Sequence, residues 1–438
     1  MQSTAYRARI LTFTDDPLQG EQAATYEEDG LLVVDAQGMV AARGPYHALA
    51  PQYATGMTIH DYRDRLIVPG FIDTHVHYPQ IDIIGSPAEG LLPWLDTYTF
   101  PAERRFADPA HAEQTARFFV DQLLACGTTT AVTWCTVHPG SVDAMLGESQ
   151  RRNLRMIAGK VMMDRNCPDY LRDTAQSAYD DSAALIARWH GNGRQHYAIT
   201  PRFALTSSEA QLDACATLAR EHPDVFVQTH VAENLDEIRW AAELFPAHRS
   251  YLDVYDRLGL LRPRAIYGHC IHLDEQDRRR MAATGAVAAH CPTSNLFLGS
   301  GLFDFAASDA AGLQITLGTD VGGGTSLSML QTMNEAHKVA RMGGTHLSAL
   351  RMFYFATLGA ARALQLDDRI GTLAAGAEAD FIVLDPAATP LLAHRAARAQ
   401  SLEETLFALA MLGDDRAVAA TYAAGVCVHR RAASGSAA

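Results

Sequence analysis

Two histidines one position apart close an apolar run, Val68-Pro69-Gly70-Phe71-Ile72-Asp73-Thr74-His75-Val76-His77. On a β-strand, side chains two apart share a face, so His75 and His77 can converge on one point. Neutral imidazoles are common ligands for zinc and related metals, and a strand end holds them more rigidly than a loop. Such a pair can equally hydrogen-bond locally, so its meaning depends on what the rest of the chain brings beside it. Other apolar runs end in Thr229-His230-Val231-Ala232-Glu233, Tyr267-Gly268-His269-Cys270 and Leu317-Gly318-Thr319-Asp320. Together these ends would make a His/His/His/Asp metal site. One strand-end histidine is more often a satisfied core residue, but several at matching topological positions point to a shared role.

The elements that must position these residues form a series. Eight strand-like runs lie at 66–77, 128–135, 155–164, 195–206, 225–233, 264–273, 286–295 and 314–320. Helical patterns separate most of them, for example at 110–125, 178–190, 207–221, 235–244 and 275–284. Eight βα repeats predict an α/β protein, a (β/α)8 TIM-like barrel whose site lies at the C-terminal strand ends. A doubly wound open sheet is the competitor, but no glycine-rich phosphate fingerprint follows an early strand. Short strand-like runs at 8–13, 30–35 and 39–43 precede this series, and a strand at 379–385 and a hairpin at 418–428 follow it. The two ends are expected to form one small β-sandwich split by the barrel. Its first part is residues 1–66, the metal-dependent barrel is 67–368, and its second part is 369–438, with a frayed tail from Arg431.

Composition bounds the function. A formal charge of −14 argues against a nucleic-acid-coating surface. With 48% hydrophobic and 20% charged residues, the 438-residue chain has the make-up of an ordinary enzyme-sized globular protein. Seven cysteines, an odd set without CxxC spacing, argue against a disulfide framework or a cysteine-rich zinc site and fit a reducing compartment. Met1 is followed by a mixed polar stretch, and no run of some twenty apolar residues occurs. A cytoplasmic protein with neither nucleic-acid nor membrane partner is therefore expected.

At this point the sequence resembles the amidohydrolase superfamily, and within it the guanine deaminase family. The broad marks are the 69–77 motif, Thr229-His230, Gly268-His269, Gly318-Thr319-Asp320 and the Gly-x-Leu…Gly…Ala-Asp-Phe pattern at 371–381. Narrower marks are His77-Tyr78-Pro79-Gln80, Trp94-Leu95, Tyr98-Thr99-Phe100-Pro101-Ala102-Glu103 and Gly159-Lys160-Val161 followed by Met163-Asp164. Pro201-Arg202-Phe203 and His290-Cys291-Pro292 with Ser294-Asn295 complete the set, which spans nearly the whole chain.

The resemblance implies that His75, His77, His230 and Asp320 bind one Zn2+ per subunit, with Fe2+ as the alternative. Three neutral nitrogens and a carboxylate leave a position for water, whose pKa the metal lowers toward neutrality. By resemblance Glu233 shuttles the proton from water to a ring nitrogen of the substrate, His269 orients the water and stabilises the tetrahedral intermediate, and Asp320 accepts a proton. Without the resemblance, Glu233 would read as a helix N-terminal carboxylate. Two-metal relatives carry a bridging lysine at the fourth strand end, whereas here that run ends in Pro201-Arg202-Phe203, so one metal is expected. Lys160, inside run three, reads as a packing or salt-bridge residue.

A guanidinium and an amide suit the acceptor edge of guanine, its carbonyl oxygen and N7. Arg202 and Gln80 are assigned that task by resemblance, Phe203 contributes ring or backbone, and Trp94 walls the pocket. His230, Glu233, His269 and Asp320 also border the substrate. On residue type alone, Gln80 could cap backbone groups, Arg202 could form a surface ion pair, and Trp94 and Phe203 could be core aromatics. His138, His272 and His337 read as structural or solvated, Cys135 and Cys291 as buried thiols, and Ser294-Asn295 as pocket rim. The Gly322-Gly323-Gly324 run reads as backbone passing close to the site.

The implied activity is hydrolytic deamination of guanine to xanthine and ammonia, with a small purine base as partner and a homodimer as assembly. The alternatives are an aminohydrolase of a pterin, triazine or modified purine, and a metal-free scaffold on the same fold. Broken ligands would mark the scaffold, and here the ligand set is intact.

Overall fold

The computed structural model describes residues 2–53 and 56–432. The end of the predicted tail, 433–438, lies outside the described residues. Four strands open the chain: β1 (Thr4–Phe13), β2 (Ala24–Val34), β3 (Val40–Pro45) and β4 (Thr58–Pro69). Then come β5 (Phe71–His77), β6 (Thr128–Trp134), β7 (Arg155–Gly159), the short β8 (Val161–Met162) and β9 (Gln195–Pro201). They are followed by β10 (Phe226–Val231), β11 (Ala265–His269), β12 (Val287–His290) and β13 (Gln314–Leu317). The chain finishes with β14 (Phe381–Leu384), β15 (Val418–Ala423) and β16 (Val426–Arg430).

Both chain ends contribute to one small β-domain, as expected, but it is a single seven-stranded sheet, ordered β16-β15-β14-β4-β1-β2-β3, where the sequence predicts a β-sandwich. Its seam is the antiparallel pairing of β14 with β4, Phe381 opposite Pro69 and Leu384 opposite Leu66. Period-2 burial supplies its core: Tyr6, Ala8, Ile10, Leu32 and Val34 point to one side with Phe381 and Val383.

The other strands run parallel in the order β5-β6-β7-β9-β10-β11-β12-β13, with β8 appended to β9. The ring closes through backbone bonds beyond the end of β13. Asp320 N–H donates to the His75 carbonyl and His77 N–H to the Val321 carbonyl, both at 2.8 Å. This is the expected eight-stranded barrel, and its helices include Pro109–Ala125, Ala175–Trp189 and Glu209–Glu221. β5 to β7 are buried along their whole lengths, as parallel strands covered by helices must be.

Several strand readings change; the run 286–295, for one, ends as strand at His290 and Pro292 opens a short helix to Phe297. The run 66–77 is two strands in two sheets, β4 ending at Pro69 and β5 beginning at Phe71. Pro69 has no N–H for a ladder, and a Cβ at Gly70 would fall 2.1 Å from Thr129 Oγ1, so only glycine passes this crossing. The run 155–164 divides at Lys160 into β7 and β8, and the buried Lys160 side chain pairs with Asp173. The run 195–206 ends as strand at Pro201 and continues in a short turn, Ala204–Thr206.

Candidate active site

Every residue singled out for chemistry lies at the C-terminal mouth of the barrel. His75 is fully buried, and its Nε2 lies 3.3 Å from Asp320 Oδ1. His77 Nε2 lies 3.3 Å from the same oxygen and 3.3 Å from His230 Nε2. His230 donates from Nδ1 to the Arg202 carbonyl at 2.7 Å, which leaves Nε2 as the unprotonated atom facing the cluster. One ligand atom from each of His75, His230, His269 and Asp320 falls within 4.8 Å of the others. His77, at the distances just given, borders the same point.

The charges suit a cation. Burial pushes His77 down to about 3 against the pull of Asp320, and burial holds His230 well below its ordinary value. Both rings are neutral ligands near pH 7. Burial alone would raise Asp320, but the facing His75, His77 and His269 hold it well below the usual carboxylate range. Both ring nitrogens of His75 and Nδ1 of His77 are buried without a hydrogen-bond partner among the described residues. Buried polar atoms are ordinarily satisfied. An ion beside Asp320 would answer Nε2 of His75, and the gathering of Nε2 of His75, His77 and His230 around this carboxylate fits a metal ion.

Glu233 follows Ala232, whose φ of 51° turns the chain back over the mouth. Its Oε1 accepts a bond from Ser300 Oγ at 3.0 Å, and its Oε2 lies 3.3 Å from His269 Nε2. Burial, and next the Asp320 charge, push its carboxyl up to about 8, so it holds a proton near neutrality. His269 donates from Nδ1 to Asn295 Oδ1 at 2.8 Å, and its Nε2 lies 3.8 Å from Asp320 Oδ2. The imidazole thus stands between the two carboxyl groups.

Beside this cluster is a cavity bordered by Gln80, Trp94, Arg202, Phe203, Glu233 and His269 among others. Trp94 and Phe203 are buried and present apolar walls. Arg202 Nη1 donates to both carboxylate oxygens of Glu103 at 2.9 Å. Gln80 Oε1 accepts from Gly322 N–H at 3.1 Å, and a Cβ on Gly322 would fall 2.7 Å from the Gln80 carbonyl oxygen. The glycine run lets the backbone pass here, as its composition suggests.

Several neighbours carry weaker sequence signals. Trp134, at the end of β6, stacks on His77 with centroids 4.9 Å apart and lies 4.2 Å from the His230 ring. Asn295, read from sequence as pocket rim, is instead buried against His269. Ser300 has no motif at all, and Glu103 belongs to a quoted motif that gives it no task. His272 donates to the Ser300 carbonyl at 2.8 Å and His337 to the Leu347 carbonyl at 3.1 Å, both away from the ligand cluster. Cys135 and Cys291 are buried free thiols.

A model of the amidohydrolase family matches residues 66–428. The chain belongs to the amidohydrolase family. It is 49% identical to the guanine deaminase of Escherichia coli K12 over 417 residues, 95% of each chain. A solved structure of E. coli guanine deaminase superposes with a TM-score of 0.94 at 47% identity, covering 99% of this chain and all of that one. Guanine deaminase from C. acetobutylicum, solved with guanine in its active site, gives a TM-score of 0.87 at 26% identity, covering 98% of this chain and all of that one.

Proposed function

We propose that this chain deaminates guanine hydrolytically to xanthine and ammonia. The observation that carries this is one pocket in which the proton-holding Glu233 and the donors of Arg202 and Gln80 flank the His/Asp cluster. Its likeness to guanine deaminases over nearly the whole chain supports the substrate.

His75, His77, His230 and Asp320 would hold one zinc ion, ferrous iron being the alternative, and the ion when bound activates water at neutral pH. Arg202 and Gln80 hold the oxo edge of the base, and Trp94 and Phe203 hold its ring between apolar walls. This presents C2 and its amine to Glu233, His269, His230 and Asp320. Glu233 gives its proton to the ring nitrogen beside C2 and takes one from the attacking water as the C–O bond forms. His269, aligned by Asn295, stabilises the tetrahedral intermediate. Asp320 takes the second water proton, which leaves with the amine as the C–N bond breaks and ammonia departs. The buried setting excludes bulk water from these transfers.

The same reading assigns the barrel to 67–368 and the small β-domain to 1–66 and 369–438. It takes the protein as a cytoplasmic homodimer acting on a free purine base, without nucleic-acid or membrane partners. The seven unpaired cysteines agree with a reducing compartment, and no described helix is long and apolar enough to cross a membrane.

Ammonia release from guanine, with and without prior chelation, tests the proposal. Metal-dependent release is expected. Metal-dependent release from a pterin or triazine but not guanine would keep the chemistry and replace the substrate. Silence on all three, with no metal bound, would leave a scaffold.

A further inference from the structure

Glu103 is a fully buried carboxylate on the short helix Phe100–Arg104, in the segment that joins β5 to β6. Among the described residues its hydrogen bonds go only to Arg202 Nη1, at 2.9 Å on each oxygen, and to Gln80 Nε2 at 3.4 Å. Both partners line the cavity, while Glu103 does not. Phe100, three residues before it, places its ring 5.4 Å from the Arg202 guanidinium carbon. A buried ion pair gains little over an apolar pair of the same volume, so its use here is geometric.

We infer that Glu103 is a positioning residue that sets substrate selectivity, fixing Arg202 and Gln80 as donors toward the acceptor edge of a neutral 6-oxopurine. The assignment rests on the function proposed above. Two features define it. Gln80 has its oxygen committed to Gly322 and its nitrogen turned to Glu103, so the amide cannot flip, and it offers the cavity a donor. Arg202 commits Nη1 to Glu103, while Nε and Nη2 make no hydrogen bond with the described residues. Glu103 also cancels the arginine charge, so this wall recognises acceptor atoms on an uncharged base and does not select an anion.

The test compares the wild type with Glu103→Gln, which keeps the shape and removes the charge. Guanine turnover gives KM and kcat, and hypoxanthine and unsubstituted purine serve as competitive inhibitors with and without the 6-oxo group. Glu103→Gln is expected to raise KM for guanine and Ki for hypoxanthine about 10-fold, the scale of a lost charge-assisted bond. Ki for purine should move less than about 2-fold and kcat less than about 3-fold, because the groups at C2 are untouched. In an Arg202→Met background, which also removes the buried cation, Glu103→Gln should add less than about 2-fold to the hypoxanthine Ki, because one acts through the other. That background and Glu103→Asp keep the test open should the single Gln variant lose its fold, and Glu103→Asp should recover part of the hypoxanthine affinity.

Equal losses for hypoxanthine and purine, an unchanged KM, or full additivity with Arg202→Met would overturn the assignment alone. Wild-type protein that releases no ammonia from guanine would overturn the proposed function and this assignment with it.

Discussion

The two ends of the barrel handle buried charge in opposite ways. At the N-terminal end, Arg155 donates to both oxygens of Glu378 at 2.6 and 2.8 Å, and Arg194 bridges Glu378 and Asp380. Asp380 in turn accepts from Ala424 N–H at 2.7 Å, which ties the network to the small sheet. Arginine is permanently charged, and each guanidinium there meets a carboxylate. At the C-terminal end, the rings of His75, His77 and His269 crowd around Asp320, and both ring nitrogens of His75 lack a hydrogen-bond partner among the described residues. One end pairs its charges within the protein and ties the barrel to the small sheet; the other gathers histidine rings around a single carboxylate. In this fold the first kind of end serves stability and the second chemistry.

Substitutions at each end should therefore fail differently. The largest effect is expected for Glu233→Gln, which should lower kcat by about 10²–10⁴-fold while metal content and thermal midpoint stay near wild type. Unchanged turnover would remove Glu233 from the proton path. At the other end, Glu378→Ala leaves the buried Arg155 without its carboxylate and should cost about 3–5 kcal/mol in denaturant unfolding. Its turnover per folded molecule should change little, and a kinetic defect without loss of stability would erase the contrast between the ends.

The smallest effect concerns pH. His196, at the start of β9, accepts from Arg155 Nη1 at 3.0 Å, and burial, then the Arg155 charge, push it down to about 3. The unfolded chain takes up that proton first, near the ordinary value of about 6.5. Its contribution to stability is thus complete above about pH 6.5 and is lost as pH falls from there toward about 3. His196→Asn should flatten the dependence of the thermal midpoint between about pH 6.5 and 4 without moving the pH profile of turnover. An unchanged slope would place the acid sensitivity elsewhere.

How much of this was legible depends on how local the signal is. His75 and His77 announce themselves because strand periodicity puts alternate residues on one face, and His230, His269 and Asp320 repeat the same position on later strands. The inward Lys160 and its salt bridge were also foreseeable, since the sequence gives that lysine no strand-end place. The division at Gly70 was hidden, because apolar character continues unbroken while the chain changes sheets. Glu103 was hidden for another reason: its partner Arg202 is 99 positions away, and no period connects a short turn-rich segment to a strand end. Asn295 and Ser300 are neutral polar types whose meaning comes only from the side chain they meet. Long-range pairing of this kind is set by tertiary packing, which residue spacing does not encode.

The closure of the barrel carries one more consequence. The first and last barrel strands meet where the ligands lie: Thr319 Oγ1 bonds Asp73 across 246 positions, and Asp320 N–H bonds the His75 carbonyl. A chain emerging from the ribosome presents His75 and His77 long before Asp320, and until the eighth strand docks there is no shared point for all of them. Truncated products therefore carry histidines without a common point, and the cluster exists only once the ring has closed.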